Sequence, residues 1–162
     1  MKVRTLGALG LVLAVACACF GQLDPGNLRF NGVGLGSTYG QVKKALGKPS
    51  RETKPKSEEC VGGQERDVYY DGASLFFMDQ GTRNFELVAF EVTSPKYSVS
   101  GLKVGDSQLT VRRVLGNKFR SEADQTAGTT TWTYEMEGET GSAVITFKKG
   151  KVVKIESGFL MC

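Results

Sequence analysis

A twelve-residue pattern occurs twice in this chain, and the offset between the two occurrences never slips. Gly36, Thr38, Val42, Lys43, Lys44, Ala45, Leu46 and Gly47 align with Gly105, Ser107, Val111, Arg112, Arg113, Val114, Leu115 and Gly116, each pair 69 positions apart. Those eight pairs, out of twelve aligned positions, are identical or similar in kind. Self-similarity at a fixed spacing is an architectural signal, and it predicts two copies of one small supersecondary unit rather than a catalytic fold.

Each copy opens with the marks of a short helix. Thr38 followed three positions later by Gln41 is a capping-box pattern; Val42, Ala45 and Leu46 form an apolar stripe, and Gly47 and Pro49 end it. In the second copy Asp106 or Ser107 can cap, Val111, Val114 and Leu115 make the stripe, and Gly116 stops it. Helices of about nine residues are marginal in isolation, so each requires a sheet to lie on.

Three strands are predicted after each helix, at 66–71, 73–79 and 85–93 and again at 129–137, 143–148 and 151–157. Asp71-Gly72 fits a tight hairpin turn, as does Lys149-Gly150. Connections this short exclude parallel crossovers, so the strands are expected to be antiparallel. The predicted class is α+β: two tandem helix-strand-strand-strand repeats forming one antiparallel sheet with short helices on one face. Alternation puts Trp132, Tyr134 and Met136 on one side of their strand. It also groups Val88 with Phe90 against Leu87 and Ala89, and Val153 with Ile155 against Val152. Leu75 and Phe77 oppose Phe76 and Met78, so both faces of the first copy are apolar.

The N-terminus reads as a targeting segment: Lys2 and Arg4, an apolar stretch from Leu6 to Ala18, then small residues near Gly21. The stretch is shorter than the ~20 residues of a membrane span. The expected organisation is a signal peptide at 1–21, a first repeat at 22–94, a linker at 95–101 and a second repeat at 102–162, exported to the periplasm or beyond the cell. Once the leader is removed, 19 basic stand against 17 acidic residues, a balance that selects no polyanion, and nucleic acid is not an expected partner. Cys60 and Cys162 are the cysteines certain to remain, and an even pair in an exported chain suggests a disulfide contributing up to ~4.7 kcal/mol by loop closure; two free thiols are the alternative. Acylation at Cys17 or Cys19 would instead anchor the chain to a membrane, although neither has Leu at the third position before it.

Chemistry is sparse. The chain holds no histidine, so the commonest general base and metal ligand is missing, and no carboxylate or thiolate cluster has metal-site spacing. Glu58-Glu59 sits in a charged loop where solvation leaves carboxylates ordinary. Gly32, Gly34 and Gly36 precede a capped helix without the Lys-Ser/Thr of a phosphate loop. No catalytic residue, cofactor or metal is therefore expected. Aromatic residues are the binding candidates, because Tyr and Trp bury large areas while keeping a polar tip. Tyr69, Tyr70 and Asp71 at one hairpin, with Trp132 and Tyr134 in the matching strand, form the candidate partner-binding set; Trp132, Tyr134 and Tyr70 are equally core candidates.

The two Gly-x-[Ser/Thr]-x-x-x-Val-x-x-x-Leu-Gly segments with their following strands resemble the small outer-membrane assembly lipoproteins of the SmpA/OmlA (BamE) family and the β-lactamase inhibitor proteins. The matching positions are Gly36, Thr38, Gln41, Val42, Leu46, Gly47 and Pro49, and Gly105, Ser107, Val111, Leu115 and Gly116; Thr110 replaces the family's Gln. The tandem arrangement is more similar to the inhibitors. The resemblance implies a saddle-like sheet with helices behind and a concave face that binds another protein. Two departures limit it: the inhibitors carry a disulfide in each repeat, and Tyr69-Tyr70-Asp71 is similar only in kind to their contact hairpin. The functional expectation is a non-catalytic protein-binding module of the cell envelope or extracellular space; the alternative is a lipid-anchored outer-membrane assembly or scaffold protein.

Overall fold

The computed structural model describes residues 24–57, 62–79, 81, 84–137 and 141–159. The leader, Cys17, Cys19, Cys60 and Cys162 lie outside them, and so does the disulfide expectation. The fold is a large antiparallel sheet with two short helices.

The helices form where the caps place them. Helix α1 (Tyr39–Leu46) begins at Thr38, whose hydroxyl accepts from the Gln41 amide while the Gln41 side chain accepts from the Thr38 amide, a complete capping box. Helix α2 (Gln108–Leu115) begins at Ser107, which accepts from the Thr110 amide; Asp106 accepts from the Lys103 amide instead. Gly47 and Gly116 end them at φ of 79° and 85°, a region costly for any residue with a Cβ.

Eleven strands follow among the described residues. A small hairpin pairs β1 (Arg29–Phe30) with β2 (Val33–Gly34). The main sheet contains β3 (Arg51–Glu52), β4 (Lys56–Ser57), β5 (Gln64–Tyr70), β6 (Ala73–Asp79), β7 (Glu86–Val92), β8 (Arg120–Asp124), β9 (Thr129–Glu135), β10 (Gly141–Lys148) and β11 (Lys151–Phe159). Their order is β3-β5-β6-β7-β11-β10-β9-β8, with β4 also on β5. The halves of the chain meet where β7 pairs β11, matching Val92 with Ile155, Glu91 with Glu156, Phe90 with Ser157 and Ala89 with Gly158.

Two bulges correct the expected alternation. The register shifts between Phe76 and Phe77 as β6 pairs β7, leaving Val88 unmatched, and between Thr146 and Phe147 as β10 pairs β11, leaving Val153 unmatched. An unmatched residue reverses which side chains share a face downstream. Leu87 therefore joins Phe90 in the core, and Val152 joins Ile155, against the simple period-two pattern.

One continuous core serves both halves. Val42 of α1 and Val111 and Leu115 of α2 pack over Leu75, Phe77 and Phe90 of one half and Trp132, Ile145 and Phe147 of the other. Segment 95–101, expected as a linker, is packed rather than free: Tyr97 and Val99 are buried, Val99 bridges Phe30, and the Phe30 ring stacks 5.7 Å from Phe90. The short edge strands β3 and β8 fall in segments that carried no strand prediction. Every residue of β8 is exposed and three of its five are charged, the composition that guards an open edge.

Candidate functional site

The sheet has two unlike faces. On the helix side, Tyr70 and Tyr134 point inward, and each phenol donates to the carbonyl of a helix-ending glycine, Gly47 at 3.1 Å and Gly116 at 3.2 Å. Trp132 is stacked against Phe119 with ring centres 4.1 Å apart, while the Arg112 guanidinium lies 4.9 Å from its ring. Burial pushes the Tyr134 phenol up to about 12, with nearby Arg112 working the other way. Tyr70 is raised as well, chiefly by burial.

These positions separate the sequence candidates. Trp132 and Tyr134 are core residues, 3 % and 1 % exposed, and Tyr70 is buried at 8 %, so their rings are not presented to a partner. Their place in the strand alternation puts them under the helices. Tyr69 takes the opposite face, half-buried, with the Arg51 guanidinium 4.0 Å from its ring. Asp71 is exposed at the hairpin turn and lines a separate recess of about 370 Å³ with Lys48, Lys96 and Tyr97. Of the five candidates, only Tyr69 reaches the helix-free face's central groove.

That groove, about 340 Å³, crosses β5, β6, β7, β11 and β10. Two cross-strand rows line it, because residues paired in an antiparallel sheet share a face. One row runs Asp67, Phe76, Ala89, Gly158, Ser142; the next runs Tyr69, Ser74, Glu91, Glu156, Val144. Small residues make the floor. A Cβ at Gly158 would lie 2.7 Å from the Cβ of Ala89, so the strands can approach this closely only with glycine there. Phe76, Val144 and Phe159 supply the apolar walls.

The centre of the face is charged. Glu91 and Glu156 stand directly opposite one another, an arrangement that is repulsive unless a cation intervenes. Lys154 intervenes: its Nζ lies 3.6 Å from Oε2 of Glu91 and 3.0 Å from Oε2 of Glu156. Burial depresses the Lys154 ammonium, but hydrogen bonding and the charges of Glu156 and Glu91 outweigh it, and the net displacement is upward. Phe76 was legible as facing away from Leu75 and Phe77. Glu91, Lys154 and Glu156 carry no such signal, since nothing local in the sequence tells that β7 and β11 are neighbours.

Among the described residues, no group of three His, Cys, Asp or Glu side chains is placed to hold a metal, and no helix is long and apolar enough to cross a membrane.

No family model and no curated protein matches this chain. Among solved structures it is similar to an extracellular protein containing a SCP domain from Bacillus anthracis str. Ames, with 10 % identity and a TM-score of 0.50 over 99 % of this chain. The match takes in 51 % of that protein, so this chain spans about half its length. At that identity the likeness concerns the fold alone.

Proposed function

We propose that this is an exported, non-catalytic protein-binding module, built from two copies of one helix-plus-sheet unit and docking its partner on the helix-free face. Support for the duplication comes from contacts that recur at the sequence-matched positions. The Gly36 amide donates to Leu87 and the Leu87 amide to Ser37; in the other half the Gly105 amide donates to Val152 and the Val152 amide to Asp106. Val42 and Val111 are both 0 % exposed in one core. The unit's resemblance to BamE-like proteins and the β-lactamase inhibitors belongs to this same proposal.

The observation that carries the docking role is the groove itself. Side chains at Tyr69, Phe76, Val144 and Phe159 keep apolar surface half-exposed in the middle of the sheet, where scattered polar residues would suffice for solubility. Export rests on the N-terminal pattern, and mass spectrometry of the mature N-terminus decides between a free end near Gln22 and an acylated Cys17 or Cys19.

Immobilised protein exposed to envelope and secreted fractions tests the docking role. A partner retained by the wild type should be lost with the pair Tyr69→Ala and Phe76→Ala, and kept with Leu109→Ala, which alters the exposed leucine of α2. Retention by the groove variant, with loss on the helix side, overturns the proposal.

A further inference from the structure

Resting on the docking reading above, we infer that the occupant of the helix-free groove is an extended segment of a partner protein that sets a lysine or arginine against Glu91, Glu156 and Asp67 and lays apolar neighbours on Phe76 and Val144.

Charge complementarity argues for this occupant. Three carboxylates line the groove, from Asp67, Glu91 and Glu156, and among the described residues one ammonium, that of Lys154, is in contact with two of them. Lys154 engages Oε2 of each glutamate and approaches from the row beyond Glu156, where it pairs with Thr146, while the Glu91 and Glu156 side chains remain 42 % and 33 % exposed. Without the leader the chain has 19 basic against 17 acidic residues, a slight positive excess, which makes this patch opposite in sign to the molecule bearing it. A cationic side chain between two carboxylates forms charge-assisted hydrogen bonds, the stronger class. A second copy of this chain, groove to groove, is the poorer occupant, since it would bring three carboxylates against three with only Lys154 and the Arg51 guanidinium beside Tyr69 as cations on each side.

Shape argues for an extended chain. The groove crosses five neighbouring strands, a span of about 19 Å at ~4.8 Å per spacing, which about six residues of extended chain would cover. The floor of Ser74, Ala89, Gly158 and Ser142 admits backbone, and the apolar walls lie on both sides of the carboxylates.

Site-specific photo-crosslinking tests this in the full exported chain. A photoreactive residue is placed at Thr133, one strand beyond Val144 in the same row, or at Leu109 on the helix side as control, and the captured peptide is sequenced. The expected adduct forms from Thr133, contains lysine or arginine within the crosslinked stretch, weakens with added salt, and falls about tenfold with Glu91→Gln plus Glu156→Gln. An adduct at Thr133 whose peptide is acidic, or that persists undiminished in the double glutamine variant, overturns the basic-segment inference while leaving the docking reading intact. Crosslinking to a second copy also overturns it. If adducts form only from Leu109, or from neither position, the docking reading falls and the inference with it. Circular dichroism and unfolding of each variant establish that it is folded.

Discussion

The phenol of Tyr134 donates to the carbonyl of Gly116 across 3.2 Å, tying the end of α2 to the strand beneath it. The last carbonyls of a helix have no partner within the helix, and here a side chain from the sheet supplies one. Tyr70 does the same for Gly47 at 3.1 Å. Each hydroxyl thus sets how its helix sits on the sheet.

Removing the Tyr134 hydroxyl tests that role. Tyr134→Phe leaves a buried carbonyl without its donor and should cost about 1 to 2 kcal/mol in urea unfolding. Tyr70→Phe should cost less, because Tyr70 is 8 % exposed against 1 % and water can reach its acceptor. The reverse ranking would mean that Gly116 does not depend on this bond.

The same burial predicts an alkaline limit. Tyr134 has its folded value raised from 10.0 to about 12, so its neutral form favours the folded state. That stabilisation is complete below pH 10, and it is lost as pH climbs from 10 to about 12, where the unfolded chain has released the proton and the folded chain has not. Its size is on the order of 2 kcal/mol. Chemical denaturation across that interval should show a steeper decline in the wild type than in Tyr134→Phe, and parallel curves would contradict the assignment.

Much of this fold is legible in the sequence, and what is not has a common cause. Caps at Thr38 and Ser107 and stops at Gly47 and Gly116 are local, so both helices fall where the residues predict. The Asp71-Gly72 and Lys149-Gly150 turns place their hairpins equally well. Val88 and Val153 defeat period-two reading because a bulge is decided by the partner strand. Segment 95–101 looks like a linker by its Pro and Ser content, yet Val99 is held by Phe30, some seventy positions earlier in the chain. The site suffers most. Tyr69 and Tyr70 are adjacent and chemically alike, and only the pleat sends one to the groove and the other to the core. Glu91 and Glu156 become a pair only through the central β7–β11 ladder.

Gly158 offers a test of the groove's floor. A side chain there would collide with Ala89, its Cβ falling 2.7 Å from the neighbouring Cβ and 3.3 Å from backbone atoms. Gly158→Val should therefore destabilise the protein by about 1 to 3 kcal/mol through strain at the central strand pair. Coupling Gly158→Val with Ala89→Gly should recover part of that loss in a double-mutant cycle. Simple additivity would place the clash elsewhere.

Lys154 gives the last prediction. Glu91 and Glu156 are cross-strand neighbours of like charge, and such pairs are unfavourable by a few tenths of a kcal/mol to about 1 kcal/mol. Lys154→Met keeps the length and apolar stem of the side chain but removes the ammonium that bridges them. The loss should be about 1 kcal/mol at low ionic strength and should shrink with salt, since these side chains are a third or more exposed and screening reaches them. Adding Glu91→Gln to Lys154→Met should restore most of the stability, because the remaining carboxylate no longer faces its like. If Lys154→Met is as costly at high salt as at low, the lysine contributes through packing of its stem rather than through the two carboxylates.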